Sequence, residues 1–390
     1  LICATAMPDP LLILSSICCL AWFYLLLFHH NFWRADQQLE SSTGDLDVWP
    51  NVAVVVPARN EADVIERTLS SLADQDYPGS MFIYLVDDNS EDGTGDVARG
   101  IKGTMPIKVL SAPPLRAGWT GKLAALRHGI AAACEEMPAC QYLLLTDADI
   151  EHPRSALRQL VRKSETDNLD LTSLMVRLHC RSLWERLHVP AFVFFFQKLY
   201  PFPAVNDHQS AVAGAAGGVM LVRRNSLEKA GGLAAIKDAV IDDCTLAALL
   251  KRNNGRIWLG LAKDNFSIRP YDGLADIWNM VARTAFTELN YAYLRLLGAI
   301  LGMMLLYLSG PLLFLSYPWH EVVPASSLGL LAWLLMTYAY IPTILYYRVP
   351  IIWAIALPLV GFLYTLMTID SALRHLRNRG SGWKGRTYSS

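Results

Sequence analysis

Charge is scarce in this sequence. Only 18% of its 390 residues are Asp, Glu, Lys or Arg, where an ordinary soluble domain carries about a quarter. Hydrophobic residues make up 53%, and the mean hydropathy is +0.26. The net charge of −1 provides no basic field, which excludes a nucleic-acid partner on electrostatic grounds. The seven cysteines, at 3, 18, 19, 134, 140, 180 and 244, are odd in number and lack zinc-ligand spacing. They fit reduced thiols in a cytosolic compartment better than a disulfide framework. Residues 1–28 contain no Lys or Arg, so the apolar run there lacks the basic start of a secretory leader.

What is present begins with that run, LLILSSICCLAWFYLLLF over 11–28, long enough to cross a bilayer. The first basic side chains follow it, at His29, His30 and Arg34. This predicts an uncleaved membrane anchor over 1–34, with the N-terminus outside and the following domain in the cytosol. Three more apolar segments, 294–317, 326–347 and 350–369, are each long enough to span. The tail over 372–390 carries Arg374, Arg377, Arg379, Lys384 and Arg386. Its charge favours the cytosol, whereas three full spans after a cytosolic domain would place it outside.

Between the apolar ends, a linker over 35–50 holds Ser41-Ser42-Thr43-Gly44. The stretch 51–265 then alternates β-branched runs with helical spacing. VAVVVPA (52–58), MFIYLVDD (81–88), IKVL (107–110), YLLLT (142–146), LDLTSLMVRLH (169–179), AAGGVMLVRR (215–224) and RIWLGL (256–261) read as strands. Helices are expected over 59–75, 90–101 with Ser90 as cap, 121–137, 153–166, 225–232 and 241–255. Such alternation predicts an α/β domain with a mostly parallel sheet. The aromatic and Pro-broken stretch 183–204 is too short to span and predicts a helix lying at the membrane interface. Residues 266–293 form a connecting segment.

Four acidic clusters fall at strand ends or helix starts: Asn60-Glu61, Asp87-Asp88, Asp147 with Asp149, and Asp242-Asp243. Open α/β sheets bind ligands at the carboxyl ends of their strands. Two carboxylates one residue apart suit a hard divalent cation holding a phosphate. A lone D-x-D reads equally as a solvated acidic turn, and only the recurrence of acids at corresponding positions argues for a common cleft.

The motifs VVVPARNEADVIERTLSSL, LVDDNSEDGT, GWTGKLAAL, LLLTDADIEHP, AGGVMLVRR and IDDCTLAALLK occur in that order over about 51–261. Together they resemble the family-2 glycosyltransferases of the GT-A fold. With the terminal apolar segments, the chain is similar to the membrane-bound, ceramide-glucosyltransferase-like branch, and within it to the bacterial hopanoid-associated glycosyltransferases. The resemblance implies that Pro57, Arg59 and Glu61 line a nucleotide pocket, and that Asp88 or Asp87 accepts a hydrogen bond from uracil. It implies that Lys122 meets phosphate or base, that Asp149 ligates Mg²⁺ or Mn²⁺, and that Asp147 holds the ribose or shares the metal. Asp243 takes the place of the family's general base. Asp242 stands where the family has Glu, which leaves its role open. Gly217-Gly218 would let an acceptor approach the backbone, or simply pack the strand.

The donor implied is a UDP-sugar, and the acceptor a membrane lipid such as a hopanoid. The family's processive members carry Q-x-x-R-W after the base. Residues 262–293 hold no such motif, and Arg283 is the nearest basic candidate for the diphosphate. The absence argues for transfer of one sugar, with inversion by a single displacement. Two other readings remain: a polyprenyl-phosphate sugar transferase, and a non-catalytic nucleotide-binding membrane protein.

Overall fold

The computed structural model describes residues 9–39, 46–377, 382–383 and 386–387. The Ser-Ser-Thr-Gly linker, Arg379 and Lys384 lie outside that set. The chain divides into two compact units, one of residues 1–35, 180–201 and 271–379, the other of 36–179, 202–270 and 380–390. The domain expected as one block over 51–265 is therefore interrupted by 180–201, and it starts earlier. Gln38 bridges Leu261 in parallel, and Leu39, Leu46 and Trp49 pack on the sheet's core. The described part of the expected linker is thus built into the domain.

Eight strands organise the second unit: β1 (Val52–Ala58), β2 (Met81–Asp87), β3 (Ile107–Ser111), β4 (Tyr142–Thr146), β5 (Ile150–Glu151), β6 (Leu171–Arg177), β7 (Val219–Arg223) and β8 (Ile257–Ser267). They lie in the order β3-β2-β1-β4-β7-β6-β8-β5. β1 and β4 are buried along their whole length, as expected of parallel strands covered on both faces. The helix Gly121–Glu136 lies close to β1 and β2 because Gly129 has no side chain; a Cβ there would come within 2.5 Å of Val55 and 2.8 Å of Val86. Most pairings are parallel, but β7 runs antiparallel to both β4 and β6, and β5 to β8. The mostly parallel sheet expected from the alternation is present, with β7 and the short β5 as its antiparallel members. The chain between β6 and β7 contains the segment 180–201, which is spent in the other unit, so no simple crossover helix forces β7 into parallel register.

Several helices are shorter than their apolar periodicity. The first begins at Ile65 rather than 59, because Asn60 adopts a left-handed conformation (φ 52°) and Glu61 N–H donates to Thr94 Oγ1 at 2.8 Å. The second begins at Thr94 after a left-handed Gly93. Ser90 does not cap it; its hydroxyl accepts the Asn60 N–H at 3.0 Å. β8 runs six residues past the expected Leu261, and that extension carries Asn265 and leads into Arg269.

Among the described residues, the first unit contains four helices long and apolar enough to cross a membrane: Pro10–Phe28, Tyr293–Leu315, Val323–Tyr346 and Ile351–Leu376. They coincide with the four expected spans. A further helix, Leu183–Leu199, buries Glu185, His188, Val189, Phe194 and Gln197 and packs against the helices Val323–Tyr346 and Leu357–Leu376. The expected interfacial helix is thus packed among other helices over most of its length, leaving Leu183, Trp184 and Leu199 exposed. It ends at Leu199; Phe202 onward returns to the sheet unit. The connecting segment is itself largely helical, over Leu274–Glu288, and Trp278 donates to Asp370 Oδ2 at 2.7 Å. In the tail, Gly382–Trp383 pairs antiparallel with Arg386–Thr387.

Candidate active site

The acidic residues converge because their strands end on the same side of the sheet. β4 ends at Thr146, whose hydroxyl donates to the Gly218 carbonyl at 2.7 Å. This ties the D-x-D loop to the start of β7. Asp147 then meets Lys122, from the first turn of the helix Gly121–Glu136, at 2.9 Å. The same ammonium lies 3.2 Å from Asp242, which opens the helix Asp242–Arg252. Lys122 is therefore neither a surface lysine nor turned to solvent: its side chain is 18% exposed and joins two of the predicted acidic clusters. Burial alone would lower the affinity of that amine for its proton. The carboxylates of Asp147, Asp242 and Asp243 outweigh burial and hold it cationic well beyond the ordinary lysine range.

Asp243 sits beside this ion cluster with both oxygens engaged. Gly217 N–H donates to Oδ2 at 2.8 Å, and Cys244 N–H to Oδ1 at 2.8 Å. A side chain at 217 could not be accommodated freely: a Cβ there would lie 3.1 Å from Lys122 Nζ and 3.3 Å from Asp243 Oδ2. Gly217 thus has a defined task, backbone donation to a carboxylate. Gly218 packs its Cα against Val176 and offers its carbonyl to Thr146. Burial, and then the neighbouring Asp242 charge, push the Asp243 carboxyl up to about 6, against the opposing pull of Lys122 and the two N–H groups.

A second cluster forms around a residue that sequence reasoning did not assign. Arg269 is bonded to Glu61 and lies 3.3 Å from Asp63 and 3.7 Å from Asp149. It is placed there by backbone pairing, since Ser267 on β8 lies opposite Ile150 and Ile268 N–H donates to the Asp149 carbonyl at 2.8 Å. The available signal was a basic residue directly after the last strand. What hid it was that the strand was read as ending at Leu261.

The remaining predicted residues separate by role. Asp87 accepts the Ser90 N–H at 3.0 Å and closes its own turn. Asp88, buried to 3% exposure, lines a cavity of about 200 Å³ with Ala112, Pro114, Trp119, Arg127 and His128. Of the two acids, Asp88 is the one that lines this cavity. Pro57 is buried near the end of β1. Arg59 donates to the carbonyls of Asp88 (2.5 Å) and Asn89 (3.3 Å), strapping the loops after β1 and β2 together. Arg283 is exposed on the helix Leu274–Glu288, which belongs to the other compact unit.

His152 was also unassigned. It is buried between Thr146 and Asn265, at 3.1 Å from each. Thr146 already donates to Gly218, so a consistent set has His152 Nε2–H donating to Thr146 and Nδ1 accepting from Asn265. Burial lowers His152 to about 3, making it a neutral strut between the D-x-D loop and β8 rather than a proton carrier.

Among the described residues no cluster of three or more His, Cys, Asp or Glu side chains could hold a metal unaided. Asp147 and Asp149 nevertheless offer hard oxygen donors that are partly exposed, at 36% and 25%. Two such donors fit a Mg²⁺ or Mn²⁺ ion whose remaining positions are filled by phosphate oxygens and water.

Residues 53–231 match the model of the Glycosyl transferase family 2. That range includes the D-x-D loop and Gly217-Gly218, and stops before Asp242 and Arg269. The chain is similar to the Probable glycosyltransferase YdaM of Bacillus subtilis (strain 168), at 36% identity over 114 residues, 29% of this chain and 26% of that protein. It is similar to the Beta-monoglucosyldiacylglycerol synthase of Synechocystis sp., at 32% identity over 123 residues, 30% of this chain and 24% of that protein. The matches therefore span about a quarter of the length of these curated relatives. Among solved structures, the mannosyltransferase PcManGT from Pyrobaculum calidifontis, in complex with GDP-Man and Mn²⁺, superposes with a TM-score of 0.54. Its identity is 20%, covering 94% of this chain and 99% of that one. The likeness is one of fold: a GT-A-like α/β domain with a mixed sheet.

Proposed function

We propose that the protein is a membrane-bound glycosyltransferase that moves one sugar from a nucleotide-sugar donor, a UDP-sugar in this reading, to the hydroxyl of a lipid acceptor such as a hopanoid. The observation that carries it is the junction at Lys122. One ammonium joins the D-x-D carboxylate Asp147 to the Asp242-Asp243 pair, so a donor-holding motif and a candidate base share one centre. The matches to glycosyltransferases support it.

In this mechanism Asp88 and the cavity beside it take the nucleobase, with the carboxylate accepting an N–H from the ring. Asp149 and Asp147 would hold Mg²⁺ or Mn²⁺, which when bound offsets the charge that develops on the leaving diphosphate. Lys122 keeps the carboxylates around it compensated, while burial and the Asp242 charge hold the Asp243 carboxyl above the ordinary carboxylate range. Asp243 takes the proton of the acceptor hydroxyl as its oxygen attacks the anomeric carbon from the face opposite the diphosphate. One displacement inverts that carbon. Gly217 N–H and Cys244 N–H fix the orientation of the base. The four apolar helices hold the chain in the bilayer where a lipid acceptor dissolves.

The test uses membranes containing the full chain. They are supplied with UDP-sugars and GDP-sugars, a lipid panel, and Mg²⁺, Mn²⁺ or a chelator. Wild type is expected to release UDP and glycosylate a lipid only with a divalent cation present. Asp149→Ala and Asp243→Ala should remain in the membrane with transfer reduced on the order of a hundredfold or more. Undiminished transfer in both variants would refute the site. Transfer to a polyprenyl phosphate that survives Asp243→Asn would point to an acceptor needing no base.

A further inference from the structure

Arg269 occupies an unusual position for a cation in such a site. Its guanidinium reaches three carboxylates, bonding Glu61 through Nη2, lying 3.3 Å from Asp63 through Nη1 and 3.7 Å from Asp149 through Nε. The placement follows from the β5–β8 pairing and the Ile268 N–H bond to Asp149. It is not a flexible surface arm: Glu61, its main anchor, is buried, and the arginine side chain is only 35% exposed. Asp149 is also the residue assigned above to the divalent cation. Lys122 compensates Asp147 in the same way, so both D-x-D carboxylates already face protein cations. A divalent ion at ligand distance from Asp149 and a guanidinium beside the same oxygen repel each other strongly at this range.

We propose that Arg269 is a positioning residue for the cation–nucleotide site: it is the resident counter-ion of Asp149, anchored on Glu61 and Asp63, and it yields Asp149 to the divalent cation when a nucleoside diphosphate arrives. The inference rests on the reading of Asp149 as a cation ligand. Its consequence is an order of binding. The D-x-D loop holds a divalent cation poorly by itself, and the negative diphosphate supplies the charge that makes the exchange favourable. Glu61 and Asp63 keep the displaced guanidinium at the edge of the site, where it faces the phosphates.

The experiment measures Mn²⁺ binding to the full chain in detergent, at fixed ionic strength, from loss of the free-ion electron paramagnetic resonance signal, with and without UDP or GDP. Wild type is expected to bind Mn²⁺ weakly alone and tightly with nucleotide. Arg269→Gln should bind Mn²⁺ alone on the order of tenfold tighter, so that the nucleotide dependence shrinks. Damage to a merely structural residue would weaken binding instead. Glu61→Gln moves the balance the other way, since Arg269 then loses its main anchor and leans more on Asp149, with only Asp63 beside it, and Mn²⁺ binding without nucleotide should weaken. This opposite shift keeps the proposal testable if the Arg269 variant fails to fold. Unchanged or weaker Mn²⁺ binding in Arg269→Gln, with nucleotide-dependent binding intact in wild type, overturns the role of Arg269 and leaves the metal reading standing. No Mn²⁺ binding by wild type even with UDP or GDP overturns the metal reading itself, and the inference with it.

Discussion

In the unit built on the eight-stranded sheet, the inward-facing polar groups of the site are charged and matched with opposite charge: Lys122 with Asp147 and Asp242, Arg269 with Glu61, Asp63 and Asp149. In the unit of apolar helices, buried polar groups are matched mostly with uncharged partners. Trp22 donates to the Leu306 carbonyl at 2.8 Å, Tyr364 to the His188 carbonyl at 3.0 Å, and Gln197 to Thr343 at 3.2 Å. Glu185, fully buried, accepts the backbone N–H groups of Arg181, Ser182 and Tyr271, each at 2.8 Å. Even Lys198 meets a phenol, Tyr307, at 2.8 Å and two aromatic faces. The helical unit uses polar atoms to satisfy backbone and lock helices together, as a hydrocarbon environment demands. The sheet unit leaves ionisable groups in mutual contact, which shifts the proton affinities of Lys122, Asp243 and Arg269.

Substitutions in each unit sharpen that contrast, and the largest effect is expected at Asp243. Its replacement by Asn should lower transfer by about 10²- to 10⁴-fold, and wild-type kcat/KM should rise with pH through about 6, as Asp243 loses its proton. Stability must move the opposite way. The folded-state value lies above the ordinary 3.8, so the folded chain binds more protons between those limits, and stability falls as pH rises from about 3.8 to about 6. That fall, about 3 kcal/mol if the shift is fully expressed, should be missing from Asp243→Asn. Thermal unfolding of the two chains at pH 4 and pH 7 measures it. Equal pH slopes would break the claim that this acid is strained by its surroundings.

Glu185→Ala belongs to the other unit and should act on stability alone. It strips acceptors from three backbone donors, at a cost of about 3 kcal/mol, while nucleotide binding by the sheet unit stays near wild type. A variant that melts normally would show that Glu185 is not the fastener it resembles. The smallest effect is expected at Lys198→Met. Burial pushes this amine down from 10.5 to about 8, so its folded state is stabilised by losing a proton, and stability should rise as pH climbs from about 8 to 10.5. The Met variant should lack that rise and should lose no stability at pH 7. Unfolding in detergent across that pH range decides it.

Much of this was legible locally. The β-branched run at 52–58 and the leucine-rich run at 142–146 are fully buried strands, because a strand covered on both faces needs an unbroken apolar run. The four long apolar segments are helices, since only such a run can satisfy its own backbone in lipid. The acids at 147, 149, 242 and 243 stand at element ends, where their clustering was expected. Ser90 misled because a serine before a helical pattern reads as a cap, whereas its hydroxyl is taken by Asn60 from the neighbouring loop. The helix at 183–199 was legible as a helix but its packing was not, because aromatic residues with a few charges look the same whether they face lipid or pack among other helices.

The sequence by itself therefore determined the inventory: which segments are strands, which are long apolar helices, and which turns carry carboxylates. These are settled by periodicity and composition over a few residues. Only the tertiary structure decided the pairings. Lys122 meets Asp242 across 120 positions of chain, Arg269 meets Glu61 across 208, and β7 runs against β4 rather than with it. A charge read in one dimension has no partner until the sheet closes. The proton affinity of Asp243 and the compensation of the D-x-D loop depend on distances of a few ångströms, which no local pattern encodes.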